Sequence, residues 1–267
     1  MKPQPSLSIF SMILGLWMVL GNCYFNPVVN GLLNPVEEES NNSFLSLLGF
    51  AGETPALITG QIRDPNGVAL SNLVLQTGLT YSQEKNTTPT FTTDTSGRFY
   101  IPYQTGSISF TVKMEGVYFF EFTLLVSNPN SITYTTYGAP PGLEITGIGT
   151  LNANESPNFF ELIDSTPRHN TTVSFYLTQM IFTFSEPPIP TIETGPMVTD
   201  WISQNIEISP PASFDNFMNV TDNTLTINFI SLPTYTIYDL TLKPGVLSAT
   251  GKPLTQRTIH FSYQHNP

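Results

Sequence analysis

Leu57-Ile58-Thr59-Gly60-Gln61-Ile62-Arg63-Asp64-Pro65-Asn66-Gly67-Val68-Ala69-Leu70-Ser71-Asn72-Leu73-Val74-Leu75-Gln76 is the stretch whose reading decides the fold. Leu57–Ile62 alternates as a strand does. In Arg63–Gly67 a proline fixes φ and a glycine can take φ > 0, so the segment reads as a tight turn. Residues 70–76 then read as a second strand. Composition extends this reading to the whole chain. Charged residues make up 11% of it, against about a quarter in an average globular protein, while Pro (23) and Gly (18) are plentiful. Ala, Glu, Lys and Arg, which sustain helices, are scarce. The expected fold class is all-β.

Downstream, Phe91–Pro102 reads as a hairpin of two short strands around Asp94-Thr95-Ser96-Gly97. Ile108–Val112 and Tyr118–Val126 read as two more strands. Residues 128–158 are full of breaks, and within them 143–149 reads either as a last strand of the first domain or as linker. From Phe159 strand signals resume at 159–167, 180–187, 206–210, 224–229, 235–242 and 258–263. The expectation is two tandem β-sandwich domains, at 56–127 and 159–267, with 128–158 as connector or final strand.

Three resemblances refine this. The order Ile58-Thr59-Gly60-Gln61-Ile62-Arg63-Asp64-Pro65-Asn66-Gly67, then Thr92-Thr93-Asp94-Thr95-Ser96-Gly97-Arg98-Phe99, then a strand ending in Gly116-Val117-Tyr118, resembles the carboxypeptidase regulatory-like, or transthyretin-like, domain. That resemblance covers residues 57–126 and implies a small sandwich used as a spacer or binding unit, without an active site of its own. Asp164-Ser165-Thr166-Pro167, Ile181-Phe182-Thr183-Phe184-Ser185-Glu186-Pro187, Tyr235–Leu240 and Ala249-Thr250-Gly251-Lys252-Pro253-Leu254 resemble the bacterial Ig-like domain of surface-layer and outer-surface proteins. This second likeness spans 160–264 and implies an extracytoplasmic building block.

The third lies at the N-terminus. Lys2 is the only Lys or Arg before Arg63, and Leu7–Leu20 is an almost unbroken apolar run. It is shorter than the roughly 20 residues a membrane-spanning helix needs, but has the length of a signal-peptide core. Leu20-Gly21-Asn22-Cys23 follows and resembles the lipobox of bacterial lipoproteins, with Asn22 in place of the usual small residue, as in the looser spirochaete form. The resemblance implies a signal peptide over 1–22, diacylglycerol and palmitate chains on Cys23, and a flexible tether over 23–55. The other reading is an ordinary secretory signal with an incidental thiol. Two or more acyl chains anchor stably at about 0.8 kcal/mol per buried CH₂. Residues 44–51 form a short apolar stretch in the tether, expected to dock on the first domain or dip into lipid.

Chemistry is harder to find. Cys23 is the sole cysteine and there is no Gly-x-Ser-x-Gly. His169 and His265 read as plain exposed residues and His260 as a cross-strand contact, and none has metal-ligand spacing. Asp64 and Asp94 open turns and are expected to bond their own turn amides, since calcium would need six to eight oxygens. No catalytic residue, cofactor or metal is expected. A net charge of −11 argues against nucleic acid as a partner.

The expected partners are the membrane, through the lipid on Cys23, and host or envelope macromolecules. The expected location is the bacterial cell envelope, at the outer membrane or cell surface. The expected role is structural or binding, an adhesin being one form. The alternative is an envelope enzyme or accessory factor acting on peptidoglycan or polysaccharide. Any binding surface is expected on loops, the longest polar ones being 77–90 and 187–205. In the latter Trp201 and Ile202 are candidate ligand contacts, or Trp201 completes the core.

Overall fold

The computed structural model describes residues 55–78, 89–152, 157–189 and 196–265. The expected signal peptide, Cys23, the tether with its apolar stretch and most of the loop 77–90 lie outside the described residues. The architecture is all-β, as expected: sheets that are antiparallel except for one parallel strand pair, packed into sandwiches, with one helix among the described residues.

In the first sandwich, β1 (Pro55–Arg63) lies between β4 (Arg98–Pro102) and β8 (Glu144–Asn152) in a three-stranded sheet. The facing sheet has five strands: β3 (Thr90–Thr92), β2 (Val74–Thr77), β5 (Gly106–Met114), β6 (Val117–Asn128) and β7 (Ser131–Tyr137), in that spatial order. Period-two alternation explains the pairing. Ile108, Phe110 and Val112 of β5 and Phe120, Phe122, Leu124 and Val126 of β6 all point inward and are buried. Ser107 and Ser109 point out. A one-residue slip would turn this whole set to water, so the register is firmly specified. From the opposite sheet Ile58, Ile62, Phe99, Ile101 and Ile145 complete the core.

The expected hairpin at 91–102 does not form. β3 pairs with β2 and β4 with β1, so the turn at Asp94–Gly97 carries the chain from one sheet to the other. Side-chain hydrogen bonds hold that crossing. Thr93 Oγ1 accepts from the Leu73 amide and donates to the Leu70 carbonyl, and Asp94 Oδ1 accepts from the Ser96 and Arg98 amides. Crossing over also sends Phe99 into the core 5.7 Å from Phe122, which lies on the facing sheet. Residues 128–158 prove largely ordered: β7 follows β6 through a tight turn, and β8 returns to pair with β1. Of the stretch 143–149, all but Leu143 is therefore strand, and it belongs to the first sandwich.

The second sandwich sets β9 (Leu162–Thr166), β11 (Gln179–Phe184), β14 (Thr224–Ser231) and β13 (Ser213–Thr221) against a second sheet. That sheet holds β10 (Thr171–Val173), β16 (Arg257–Tyr263), β15 (Thr236–Leu242) and β12 (Ile206–Ser209). Its core is aromatic, including Phe160, Phe182, Phe184, Tyr238 and Phe261. The helix α1 (Pro196–Asn205) replaces the second half of the polar loop expected over 187–205, of which residues 190–195 lie outside the described residues. Pro at the first helical position is pre-organised for a helix. Val198 and Ile202, four apart, are buried in the core, which is the spacing of a helix face.

Candidate functional site

α1 positions both sequence-derived candidates. Ile202 is 3% exposed and belongs to the core, whereas Trp201, one residue round the helix, is half-buried at its margin. Trp201 lines a cleft of about 260 Å³ with Pro188, Ile189, Val220, Leu225 and Leu247. No titratable side chain lines it, so its chemistry is that of an apolar receptor. Its rims are pinned together. The Ile189 amide donates to the Leu247 carbonyl at 2.9 Å and the Ala249 amide to the Pro187 carbonyl at 2.8 Å. Beneath it, Asn205 caps the helix end. Its Nδ2 donates to the Trp201 carbonyl, and its Oδ1 fills the space a Cβ at Gly245 would need. Ile189 and Leu247 are each 38% exposed and Met197 lies open nearby.

The polar chemistry sits elsewhere, where the two sandwiches meet within one compact unit. Arg98 and Glu161 are both buried there. Arg98 Nε and Nη2 donate to Glu161 Oε1 at 2.9 and 2.6 Å, and the guanidinium lies 3.5 Å over the Phe159 ring. Thr255 Oγ1 donates to the same carboxylate oxygen. Arg257 grips Glu144 through two hydrogen bonds of 2.5 and 2.9 Å. Arg63, 1% exposed, donates to Gln61 Oε1 and to the Gly67 and Leu162 carbonyls. Burial, and then the charge of Arg257, lowers its pKa to about 10. The Ala69 amide donates to the Ile163 carbonyl across the same junction. Gly67 has φ +77°, and a Cβ there would come within 2.8 Å of His169. The junction is thus closed by backbone as well as charge.

Asp64 and Asp94 do accept from their own turn amides, and His260 does make a cross-strand contact, to Asp239 at 2.7 Å. His169 and His265 differ from expectation. His265 is half-buried, with its ring beside those of Tyr263 and Tyr176. His169 is half-buried at the junction, because the turn after β9 folds it against β16 and Glu144. Its Nδ1 accepts from the His260 amide at 3.0 Å, which places the proton of the neutral ring on Nε2. Burial, then Arg257, holds its pKa below the ordinary 6.5, against the pull of Glu144.

This has a pH signature. A histidine with a lowered folded pKa stabilises the fold fully above about 6.5, and that contribution is lost as pH falls through the folded value. For Glu144, burial raises the pKa, but the hydrogen bonds and charge of Arg257 outweigh it and the net shift is downward from 4.5. Its contribution fades by the same sign at lower pH. The urea midpoint is therefore expected to fall between pH 7 and 5.5. In His169→Asn, which keeps an acceptor for the His260 amide, that slope should flatten. An unchanged slope would assign the effect to another group.

Sequence reasoning missed the junction cluster, although a signal for it existed. Three of the four arginines, Arg63, Arg98 and Arg257, lie in or beside apolar strands, and Glu161 interrupts Phe159-Phe160-Glu161-Leu162-Ile163. A lone acid inside such a run needs a buried cation. No group of three or more His, Cys, Asp or Glu side chains is placed to hold a metal ion among the described residues, and no helix there is long and apolar enough to cross a membrane. Neither a protein-family model nor a curated protein matches the chain.

Proposed function

We propose that the chain is a lipid-anchored protein of the bacterial envelope, displayed from the outer membrane or cell surface by acyl chains on Cys23, with a binding or structural role. Its partner is a host or envelope macromolecule that seats an apolar group against Trp201. The observation that carries this reading is a division of labour among the described side chains. The buried charges Arg98 and Glu161 are spent on each other, joining the sandwiches, while the open cleft at Trp201 offers apolar surface. Such a scaffold holds and presents. The resemblance to a spacer-type sandwich followed by a bacterial Ig-like domain supports the same role, as does the lipobox-like Leu20-Gly21-Asn22-Cys23.

The test is made in cells. A Cys23→Ala chain is expected to accumulate at precursor length, to take up no labelled palmitate and to leave the detergent phase. Maturation to normal length with normal phase partitioning would rule the anchor out. Protease added to intact cells should digest the parent protein if it is displayed outward. Protection of the parent chain, with digestion only after the outer membrane is opened, would place it on the inner side.

A further inference from the structure

A cleft of about 290 Å³ opens over the junction of the two sandwiches, and its lining changes with depth. Gln61, Arg63, Arg98 and Glu161 lie buried at its floor, with Arg257 half-buried beside them. Thr146, Gly147, Gln256 and Thr258 stand exposed at the rim. The rim is neutral, while the floor sets cations against a single acid. That is the reverse of the chain as a whole, which carries −11.

The charges at the floor do not cancel. Arg98 is matched by Glu161 and Arg257 by Glu144. Arg63 is left over, because its three hydrogen bonds go to neutral acceptors, Gln61 Oε1 and the Gly67 and Leu162 carbonyls. A buried charge is costly unless an opposite charge meets it. The lowered pKa of Arg63 has the same origin, burial first and then repulsion by Arg257. One positive charge is in surplus beneath an opening. Donors are in surplus as well. A guanidinium has five N–H groups, and Arg98 spends three of them, two on Glu161 and one on Thr59. The other two sit on Nη1 and Nη2, which lie 3.9 and 3.2 Å from where a Cβ of residue 147 would stand. Residue 147 is glycine, at φ +58°, so no side chain covers them there.

We propose that this cleft is a binding site for a small organic carboxylate. The planar guanidinium fork matches a carboxylate, and one negative charge balances the surplus left by Arg63. A doubly charged phosphate or sulfate would exceed that surplus and meet repulsion from Glu161 in the same floor. The neutral rim, with the Gln256 amide and the Thr146 hydroxyl, suits hydroxyl groups on the rest of the molecule. The site stands apart from the cleft at Trp201, and neither reading rests on the other.

The test uses the full chain in detergent at pH 7, with lactate as the probe and chloride replaced at constant ionic strength. Lactate should raise the melting temperature by roughly 3–6 °C once it is tenfold above its Kd, and uncharged lactamide should not. Gln256→Glu places an acid at the exposed rim and should abolish the rise, whereas Gln256→Lys should reach it at lower lactate. Gln179→Glu, at the end of β11 away from the junction, should respond as the parent does. General salt effects move all these chains alike, so the difference between parent and Gln256→Glu is the measure. Arg63→Met, which removes the surplus charge, should erase the response. A parent chain indifferent to lactate would overturn the proposal, as would an equal rise in Gln256→Glu. Titration calorimetry decides the ligand class, since phosphate binding more tightly than lactate would overturn the choice of a carboxylate.

Discussion

Replacing Glu161 with alanine is expected to cost the folded chain about 3–5 kcal/mol, the usual penalty for leaving the other half of a buried ion pair uncompensated. On a domain pair of this size that lowers the melting temperature by roughly 6–20 °C. The reason is local. Arg98 and Glu161 are 3% and 1% exposed, so water cannot take the place of the lost carboxylate. Thr255 loses its acceptor in the same step. Glu161→Leu combined with Arg98→Met removes both charges and should recover most of the loss, because apolar replacements of a buried pair are often neutral or better. Urea unfolding followed by circular dichroism measures both. If Glu161→Ala unfolded at the parent midpoint, the pair would have to be hydrated in solution and the junction would not be closed.

Phe122→Ala tests how far the junction carries. Phe122 stacks 4.9 Å from Phe110 and also meets Phe99 and Phe120. Truncating such a side chain costs about 3–5 kcal/mol. Trp201 lies in the other sandwich, and the chain has only one other tryptophan, Trp17. Its fluorescence is thus a remote reporter. Because Arg63, Arg98 and Glu161 are buried only while both sandwiches are folded, the Trp201 transition is expected to move down together with the β-sheet signal. A Trp201 transition that keeps its parent midpoint would show two independently melting units.

What could be read from the chain beforehand follows physical lines. Strands with clean alternation, such as β5, announce themselves because Ile108, Phe110 and Val112 point inward while Ser107, Ser109, Thr111 and Lys113 point outward. The turn aspartates are equally legible, since their bonds are local. The Asp94–Gly97 crossing was not, because a hairpin and a sheet-to-sheet connection have the same local sequence. Only the partners that the rest of the chain supplies, β2 for β3 and β1 for β4, decide between them. α1 was hidden by its brevity and by neighbours rich in Pro and Thr. β7 buries almost nothing, with Ile132 alone half-buried and the rest of the strand exposed, so no buried periodicity set it apart from loop. The junction was least visible of all, as Arg98 and Glu161 are 63 residues apart and nothing local ties one to the other.

The way the chain enters its first sheet bears on mechanical load. Force arriving from the N-terminal side reaches the fold through β1, and β1 is the middle strand of its sheet, held by β4 on one flank and β8 on the other. The hydrogen bonds of antiparallel strands lie across the strand axis. A pull along β1 therefore shears both ladders at once instead of unzipping them one bond at a time. Resistance to such loading is governed by the unfolding rate. Single-molecule extension should show the first sandwich yielding at higher force when pulled through β1 than when pulled through its edge strand β7.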